Sequence, residues 1–330
     1  MTPSVAKVSV APMMDWTDRH CRYFLRQISP DVLLYTEMIT AQALLRGDRE
    51  RLLRYDPTEH PVALQLGGSD PDDLARAARF GVEAGYDEIN LNCGCPSDKV
   101  QRGSFGACLM REPARVAACV AAMRAAVSIP VTVKMRIGTV TGGMSDTADA
   151  LQRFDAADGA ALLEFVDAVT RAGSQVAIVH ARKAVLGGWS PKDNREVPPL
   201  RYDIAEQVRA RFAPLPVVIN GGVRTAEQAT TLLERFDGVM LGREAYHRPL
   251  VLAEIAGRRV STRAVLLAMA DYVERELVGG ERLPSITRHM LGLLTHAPGA
   301  RDYRRLLSEG ARVPGAGPEL LRQAAERFGH

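Results

Sequence analysis

The sequence has few features of a membrane or secreted protein. No stretch approaches the ~18–20 consecutive apolar residues that a membrane-spanning helix needs. The first residues lack the charged and apolar regions of a signal peptide. The 330 residues include only five cysteines, an odd number scattered among apolar neighbours, so they do not make a disulfide framework. We therefore expect a cytoplasmic protein.

Strong overall charge is also missing, since the net charge is only +3. The distribution is uneven, however. Residues 258–330 contain twelve arginines, no lysine and eight acidic residues, a net charge of +4, whereas the rest of the chain sums to −1. A basic segment on a neutral body favours a surface for a polyanion. A solvated helical face explains the same charge equally well.

No Gly-x-Gly-x-x-Gly motif follows the first predicted strand, which counts against a dinucleotide-binding Rossmann domain. Short apolar runs of strand length recur instead, at residues 8–11, 32–36, 62–66, 88–92, 131–134, 176–180, 217–220 and 238–241. Helix-like stretches lie between most of them, at 71–84, 113–126, 160–172, 202–211 and 225–234. Eight such units in about 245 residues predict an α/β fold, a closed (β/α)8 TIM barrel. A doubly wound open sheet is the alternative.

Two connections are too long to be simple turns. Residues 139–158 follow the fifth strand and residues 183–200 follow the sixth, and such loops tend to build the active-site mouth. Beyond about residue 258 the strand signal disappears. Helical patterns replace it at 263–277, 285–295, 300–308 and 318–328. The sequence therefore predicts a catalytic barrel over 1–257 and a small C-terminal helical bundle over 258–330.

Polar residues close the predicted strands, where barrel enzymes carry their catalytic groups. They are Gln65, Asn90, Asn92, Lys134, Arg136, His180, Arg182 and Asn220. A Lys or His ending an apolar run must be desolvated, which costs roughly several kcal/mol if it is unpaired. Their shared position predicts one active site. If such a site holds a flavin, a cationic Lys134 can stabilise the negative charge that develops on its reduction, and Gln65 and His180 can hydrogen-bond to ring heteroatoms.

Glycines follow the last two strands, as Asn220-Gly221-Gly222 and Gly242-Arg243. Paired glycines free backbone N–H groups to converge on an anion, and barrels hold phosphate after strands seven and eight. Arg243 would add a charge-assisted contact. These two turns predict a phosphorylated cofactor or substrate.

Two thiols lie in the segment Asn92-Cys93-Gly94-Cys95-Pro96-Ser97. Their spacing is too close for the usual zinc motif and no second Cys/His pair lies nearby, so no metal is expected. Cys93 ends the strand, where a small residue can form part of the wall of the site. Cys95 lies in the loop beyond, where a protonated thiol is suited to donating a proton to a carbanion.

Longer blocks resemble the tRNA-dihydrouridine synthase family. The matching segments are 11–18 (Ala11-Pro12-Met13-Met14-Asp15-Trp16-Thr17-Asp18), 34–38, 65–68, 92–97, 133–134, 180–182 and 220–222. Segments 106–110, 190–192, 194–196, 287–293 and 298–301 are similar to its A subfamily. The resemblance runs from about residue 8 to about residue 311.

The resemblance implies that NADPH reduces a bound FMN, that hydride passes to C6 of uridine 20, and often 20a, in the tRNA D-loop, and that Cys95 protonates C5. It implies a flavin platform of Pro12, Met13 and Met14, with Gln65, Lys134 and His180 at its polar edge. The implied phosphate grip is Asn220, Gly221, Gly222, Gly242 and Arg243. The implied tRNA contacts are Asn92, at the target base, with Lys192, Arg195, Arg301 and Arg304. We expect a monomer.

Two features depart from the family pattern. The stretch from Arg136 to His180 is longer than expected, with extra residues around 142–158, and Cys93 stands where a non-thiol residue is more usual. Two other functions fit parts of the sequence. One is an FMN barrel that acts on a free small molecule, as dihydroorotate or ene-type dehydrogenases do. The other is a tRNA-binding protein without catalysis.

Overall fold

The computed structural model describes residues 5–142 and 147–330. Its centre is a barrel of eight parallel strands. They are β1 (Val8–Val10), β2 (Leu34–Tyr35), β3 (Val62–Gly67), β4 (Glu88–Cys93), β5 (Val131–Arg136), β6 (Ala177–His180), β7 (Val217–Asn220) and β8 (Gly238–Leu241). From β2 to β8 each strand pairs with its successor, and β8 pairs with β1. Val10 N donates to Leu33 O (2.9 Å) and Leu33 N to Val8 O (3.1 Å), which closes the barrel. The predicted (β/α)8 barrel is confirmed, and the open-sheet alternative is wrong.

Successive side chains of the strands alternate between the inside and the outside of the barrel. On β4, Ile89 and Leu91 belong to the large apolar cluster beneath the surrounding helices. Asn90 and Asn92 point the other way, into hydrogen bonds with the neighbouring strands. This alternation explains why polar residues lie within apolar runs: the polar side chains face the barrel interior and its mouth.

Helices surround the barrel and follow it in the chain. They are Arg19–Ile28, Ala41–Arg46, Arg49–Leu53, Pro57–Glu59 (a 3-10 turn), Pro71–Glu83, Asp98–Arg102, Gly106–Arg111 (3-10), Pro113–Ala126, Ala148–Gln152, Ala156–Arg171, Asp193–Glu196, Tyr202–Arg211, Ala226–Arg235, Arg243–His247, Val251–Ile255, Thr262–Val278, Leu283–Thr287, Ala300–Gly310 and Glu319–Phe328. Among the described residues, none of them is long and apolar enough to cross a membrane. The five predicted barrel helices are confirmed: 113–126 and 202–211 match to the residue, and the ends of the other three differ by at most four residues.

The predicted helix over 285–295 is wrong beyond its first turn. The helix Leu283–Thr287 ends there, and turns follow as far as residue 299. Gly292 packs against the backbone of the barrel, where an added Cβ would lie 2.6 Å from His247 O. This close approach favours a tertiary contact over continuation of the helix.

The long connections after β5 and β6, which we predicted to build the active-site mouth, pair with each other. Strand Ile39–Thr40 adds to β3, and Thr139–Thr141 pairs in parallel with Ala184–Leu186 to form a two-stranded ribbon. Asn194 clamps the ribbon, since its Oδ1 accepts from Val185 N (2.7 Å). Part of the predicted excursion, residues 143–146, lies outside the described residues.

The C-terminal helices pack closely on the barrel. Tyr272 of the helix Thr262–Val278 stacks on Tyr23, with ring centroids 4.0 Å apart. Arg19 pairs with Glu276 of the same helix at 2.5 Å. One continuous apolar cluster includes residues of both parts. The C-terminal helical bundle is present, whereas a domain boundary at 257/258 stays a prediction.

Candidate active site

A cavity of about 1040 Å³ opens at the carboxyl ends of the strands. The structure brings most of the predicted site residues into its lining. Those residues are Pro12, Met13, Met14, Gln65, Asn92, Cys95, Lys134, His180, Arg195, Asn220, Gly221, Gly222, Gly242 and Arg243. Residues separated by more than 200 positions in the chain therefore share one cavity, as their places at strand ends predict.

The wall formed by β3 and β4 carries side-chain amides that bond to one another. Asn92 Nδ2 donates to Gln65 Oε1 (2.9 Å), and Gln65 Nε2 donates to Asn90 Oδ1 (2.7 Å). We call Gln65, Asn90 and Asn92 the amide wall. All three are buried, so their mutual bonds avoid the desolvation cost of an unpaired amide.

Cys95 lies at the cavity in a loop held from both sides. Its backbone N–H donates to Asn92 Oδ1 (3.0 Å), and its carbonyl accepts from Ala107 N (2.9 Å). Gly106 has φ +77, and a Cβ there would lie 2.5 Å from Cys95 O, so glycine is needed for this loop to close. A fixed backbone places the half-buried thiol toward the cavity.

Cys93 has a different environment. It is fully buried in the apolar cluster outside the barrel, and burial raises the pKa of its thiol well above the ordinary value. It does not line the cavity. Only Cys95 of the two neighbouring thiols is therefore in a position to meet a substrate.

Lys134 ends on the cavity side of β5, where its Nζ donates to Asn220 Oδ1 (3.2 Å). Asn220 is oriented in turn by donation from its Nδ2 to Met240 O (2.8 Å). Burial and the neighbouring Arg136 lower the pKa of Lys134 from 10.5 to about 7. A negative group beside Lys134 would restore its charge, so this ammonium is suited to an anionic partner.

His180 is buried at the end of β6. Burial, together with the positive charges of Arg136 and Lys134, lowers its pKa well below the ordinary value. The imidazole is therefore neutral at physiological pH and offers one donor and one acceptor nitrogen.

Arg136 has a structural role that the sequence did not reveal. Its Nε donates to Gly94 O (3.1 Å) and its Nη1 to Asn194 O (3.0 Å). The guanidinium thus connects the Cys95 loop to Asn194, the residue that hydrogen-bonds to the two-stranded ribbon. The sequence marked Arg136 as a polar residue at a strand end, but only the tertiary structure shows these two partners.

Glycines with positive φ form the opposite side of the cavity. Gly221 has φ +109 and Gly222 has φ +74, and a Cβ on Gly221 would lie 2.5 Å from His180 Cδ2. Arg182 lies beside them, and its buried Nε has no hydrogen-bond partner among the described residues. A cradle without side chains and an unpaired N–H fit a phosphate group.

Two further arginines line this side, Arg224 and Arg243. Arg243 forms an ion pair with Glu196, a partner that we did not predict. We call Arg182, Arg224 and Arg243, with Gly221 and Gly222, the cationic side. Arg224 lies two residues after the predicted glycine pair, in the loop after β7, and this position was the signal that could have identified it.

Three predicted tRNA contacts do not lie at the cavity. Lys192 is exposed on the loop after β6, and Arg301 and Arg304 are exposed on the helix Ala300–Gly310. Aromatic residues do lie at the rim: Trp16 lines the cavity and stacks on Tyr246, with centroids 4.5 Å apart. Among the described residues, no group of three or more His, Cys, Asp or Glu is placed to hold a metal ion.

The fold and the cavity together define a class: a (β/α)8 barrel with a candidate active site at the carboxyl ends of its strands, where barrel enzymes carry their catalytic groups. Comparison with known proteins defines the family. The family model described as dihydrouridine synthase (Dus) matches residues 9–328.

Several relatives are similar over nearly their whole length. A tRNA-dihydrouridine(20/20a) synthase of Xanthomonas campestris is 55% identical, covering 97% of this chain and 93% of the relative. Enzymes of the same name from Vibrio cholerae (52% identical, 98% and 96% covered) and Pseudomonas syringae (51%, 98% and 94%) are similar too. The chain belongs to the dihydrouridine synthase family and is an oxidoreductase. The resemblance inferred from the motifs is confirmed.

Proposed function

We propose that the protein uses FMN and NADPH to reduce the C5=C6 bond of uridine 20, and of uridine 20a, in the tRNA D-loop, which yields 5,6-dihydrouridine. One observation carries the proposal: the amide wall with Cys95 and the cationic side face each other across a single cavity. The names of the relatives support the two positions in tRNA. We further propose that the protein acts as a monomer in the cytoplasm.

The residues of the cavity match the parts of FMN. Pro12, Met13 and Met14 would support the ring system, and Gln65, Lys134 and His180 would contact its polar edge. The phosphate would lie at the turns after β7 and β8, held by Asn220, Gly221, Gly222, Gly242 and Arg243. The unpaired Nε of Arg182 supports this placement. When bound, FMN reduced by NADPH supplies the hydride that C6 of the uracil accepts.

The chain itself supplies the proton. In the proposed reaction Cys95 Sγ–H protonates C5 from the cavity side, and the resulting thiolate recovers its proton from solvent. Asn92 would orient the uracil, and a positive Lys134 would stabilise the negative charge at the ring edge. The amide wall is buried and its side chains bond to one another, so the orientation of Asn92 toward the uracil would be fixed before the substrate binds.

Extracting the target base from the tRNA fold costs a few kcal/mol. Contacts with the phosphates outside the cavity would offset this cost. We propose Lys192 and Arg195 on the loop after β6, and Arg301 and Arg304 on the C-terminal helix, for these contacts. The last two are exposed, three positions apart on one helix face, and have no ion-pair partner among the described residues.

Reaction of the purified protein with FMN, NADPH and transcribed tRNA tests the proposal. Mass mapping should find dihydrouridine at positions 20 and 20a, and a tRNA with cytidine at both should stay unmodified. Equal reduction of free uridine or orotate would indicate a small-molecule enzyme. Binding of tRNA without any reduction would indicate a protein that only binds tRNA.

A further inference from the structure

The amide wall continues to the closed end of the barrel, away from the mouth. Asn90 Nδ2 donates to Thr132 Oγ1 (2.8 Å), and the Thr132 hydroxyl donates to Glu88 Oε1 (2.6 Å). Tyr35 also donates to this oxygen (2.7 Å). Glu88 is the first residue of β4 and Thr132 is the second residue of β5, whereas the Cys95 loop follows the other end of β4. A single chain of side-chain hydrogen bonds therefore connects the two ends of the barrel.

We propose that Glu88 and Thr132 are positioning residues, which fix the loop of Cys95 through the oriented amides of the wall. The inference rests on the proposed function for its effect on the reaction, but its structural part is testable without it. Neither residue touches the cavity.

The backbone N–H groups of Gly94 and Cys95, at one end of this hydrogen-bond chain, determine the direction of each bond in it. The backbone N–H groups of Gly94 and Cys95 can only donate, so Asn92 must present Oδ1 to both of them, at 3.0 Å each. Its Nδ2 then faces Gln65, which must present Oε1. The same reasoning orients Asn90, whose Nδ2 must find an acceptor.

Thr132, at the other end of the hydrogen-bond chain, supplies that acceptor. Thr132 accepts from Asn90 only while its own hydroxyl donates elsewhere, and Glu88 Oε1 receives it. Burial raises the pKa of Tyr35 well above the ordinary value, so its hydroxyl keeps its proton and also donates to Glu88. Glu88 Oε1 thus accepts at one end of a chain whose other end consists of two backbone donors, and burial raises the pKa of this carboxyl group to about 7.

Removal of the Thr132 hydroxyl breaks this order. Asn90 Nδ2 would lose its acceptor and stay unpaired in the present arrangement. Only a reversal of all three amides would pair it, and a reversed Asn92 presents its NH2 group to the backbone N–H groups of Gly94 and Cys95. The substitution therefore raises the population of the reversed arrangement, in which the loop loses both of these hydrogen bonds. Cooperative chains of this kind lose more than one bond when a member is removed.

The experiment compares Thr132→Val, which has the same shape without the hydroxyl, with Thr132→Ser, which keeps it. Ile178→Val, in the apolar cluster inside the barrel, is the control for a general loss of packing. For Thr132→Val we expect kcat on tRNA to fall roughly tenfold, with KM changed by less than about twofold. Thr132→Ser should restore kcat.

A second measurement does not depend on activity. Iodoacetamide alkylation, followed peptide by peptide, should be several-fold faster at Cys95 in Thr132→Val than in the wild-type protein, because the loop is released. Cys119 is fully buried and reports general opening, so its alkylation should not change. Thr132→Ser and Ile178→Val should react at the wild-type rate.

The two hypotheses fail separately. A wild-type protein that does not reduce tRNA would refute the proposed function, and the alkylation rates would still decide the positioning role. Unchanged alkylation of Cys95 in Thr132→Val would overturn that role whatever the activity. Equal acceleration at Cys95 and Cys119, or in Ile178→Val, would also overturn it.

Discussion

The two sides of the cavity satisfy their polar groups in different ways. On the amide wall each donor meets an acceptor of the same protein, from Cys95 N down to Glu88. On the cationic side Arg182 Nε is buried without a partner among the described residues, and two glycines leave backbone open. The amide wall makes its hydrogen bonds within the protein, so its side chains are oriented before any ligand binds. The cationic side has an unpaired N–H group and positive charges, so it requires an anion to pair with them. One side is built for positioning and the other for binding.

Replacing Cys95 by Ala should have the largest effect, since it removes the proposed acid from the positioning side. We expect dihydrouridine formation to fall about 10²- to 10⁴-fold. Binding of FMN and tRNA should be unchanged, because the amide wall is held through the backbone of residue 95. Mass analysis of treated tRNA measures the loss, and Cys108→Ala, at a thiol outside the cavity, is the control. Retained activity would show that another group donates the proton.

Gly221→Ala tests the binding side. The substitution combines a strained positive φ with a Cβ 2.5 Å from His180, which costs on the order of 1–3 kcal/mol and displaces the imidazole. FMN should bind roughly 10- to 100-fold more weakly, as flavin fluorescence titration would show. Gly187→Ala is a matched control, since its φ is +95 and nothing lies within 4 Å of an added Cβ. Equal weakening in both variants would mean that FMN does not use this cradle.

The double variant Arg301→Ala/Arg304→Ala separates binding of the cofactor from binding of tRNA. We expect KM for tRNA to rise roughly tenfold. The slope of log binding constant against log salt concentration should become shallower by about the amount for two phosphate contacts. FMN affinity should not change, because neither residue lines the cavity. Filter binding at several salt concentrations measures the slope. Arg171→Ala, on the helix Ala156–Arg171 of the outer ring, should leave the slope unchanged.

Lys134 lies between the two sides, and the smallest expected effect concerns its proton. Because its pKa in the folded protein is about 7 instead of 10.5, the unfolded chain holds this proton to higher pH. The buried charge therefore lowers the free energy of unfolding by its full amount below pH 7, and this loss becomes smaller as pH rises toward 10.

Without FMN, the free energy of unfolding of the wild-type protein should thus gain more between pH 7 and pH 10 than that of Lys134→Met. The ammonium faces the cavity, so we expect a difference on the order of only 1–2 kcal/mol. Urea unfolding at each pH measures it. Parallel pH curves for the two proteins would contradict the lowered pKa.

Much of the site followed from the order of residues alone. The apolar runs predicted eight strands, and a barrel brings the ends of such strands together, so Gln65, Lys134, His180 and Asn220 had to share one mouth. The glycine turns and the position of Cys95 were read from the same strand ends, and the family resemblance added the platform of Pro12, Met13 and Met14. These features depend on local patterns and on a fold with a fixed geometry, and for that reason they are readable in the sequence.

Contacts between distant segments were decided only by the tertiary structure. The ribbon of Thr139–Thr141 with Ala184–Leu186 consists of strands too short for a periodic signal, and each is stable only through its partner. Gly292 packs against the backbone at His247, a contact that the helical pattern over 285–295 did not predict. The hydrogen bonds from Glu88 to Cys95 join three strands, and no local pattern encodes which way a buried amide points. The hydrogen-bond partners of the amide determine its direction, and these partners come together only in the folded protein.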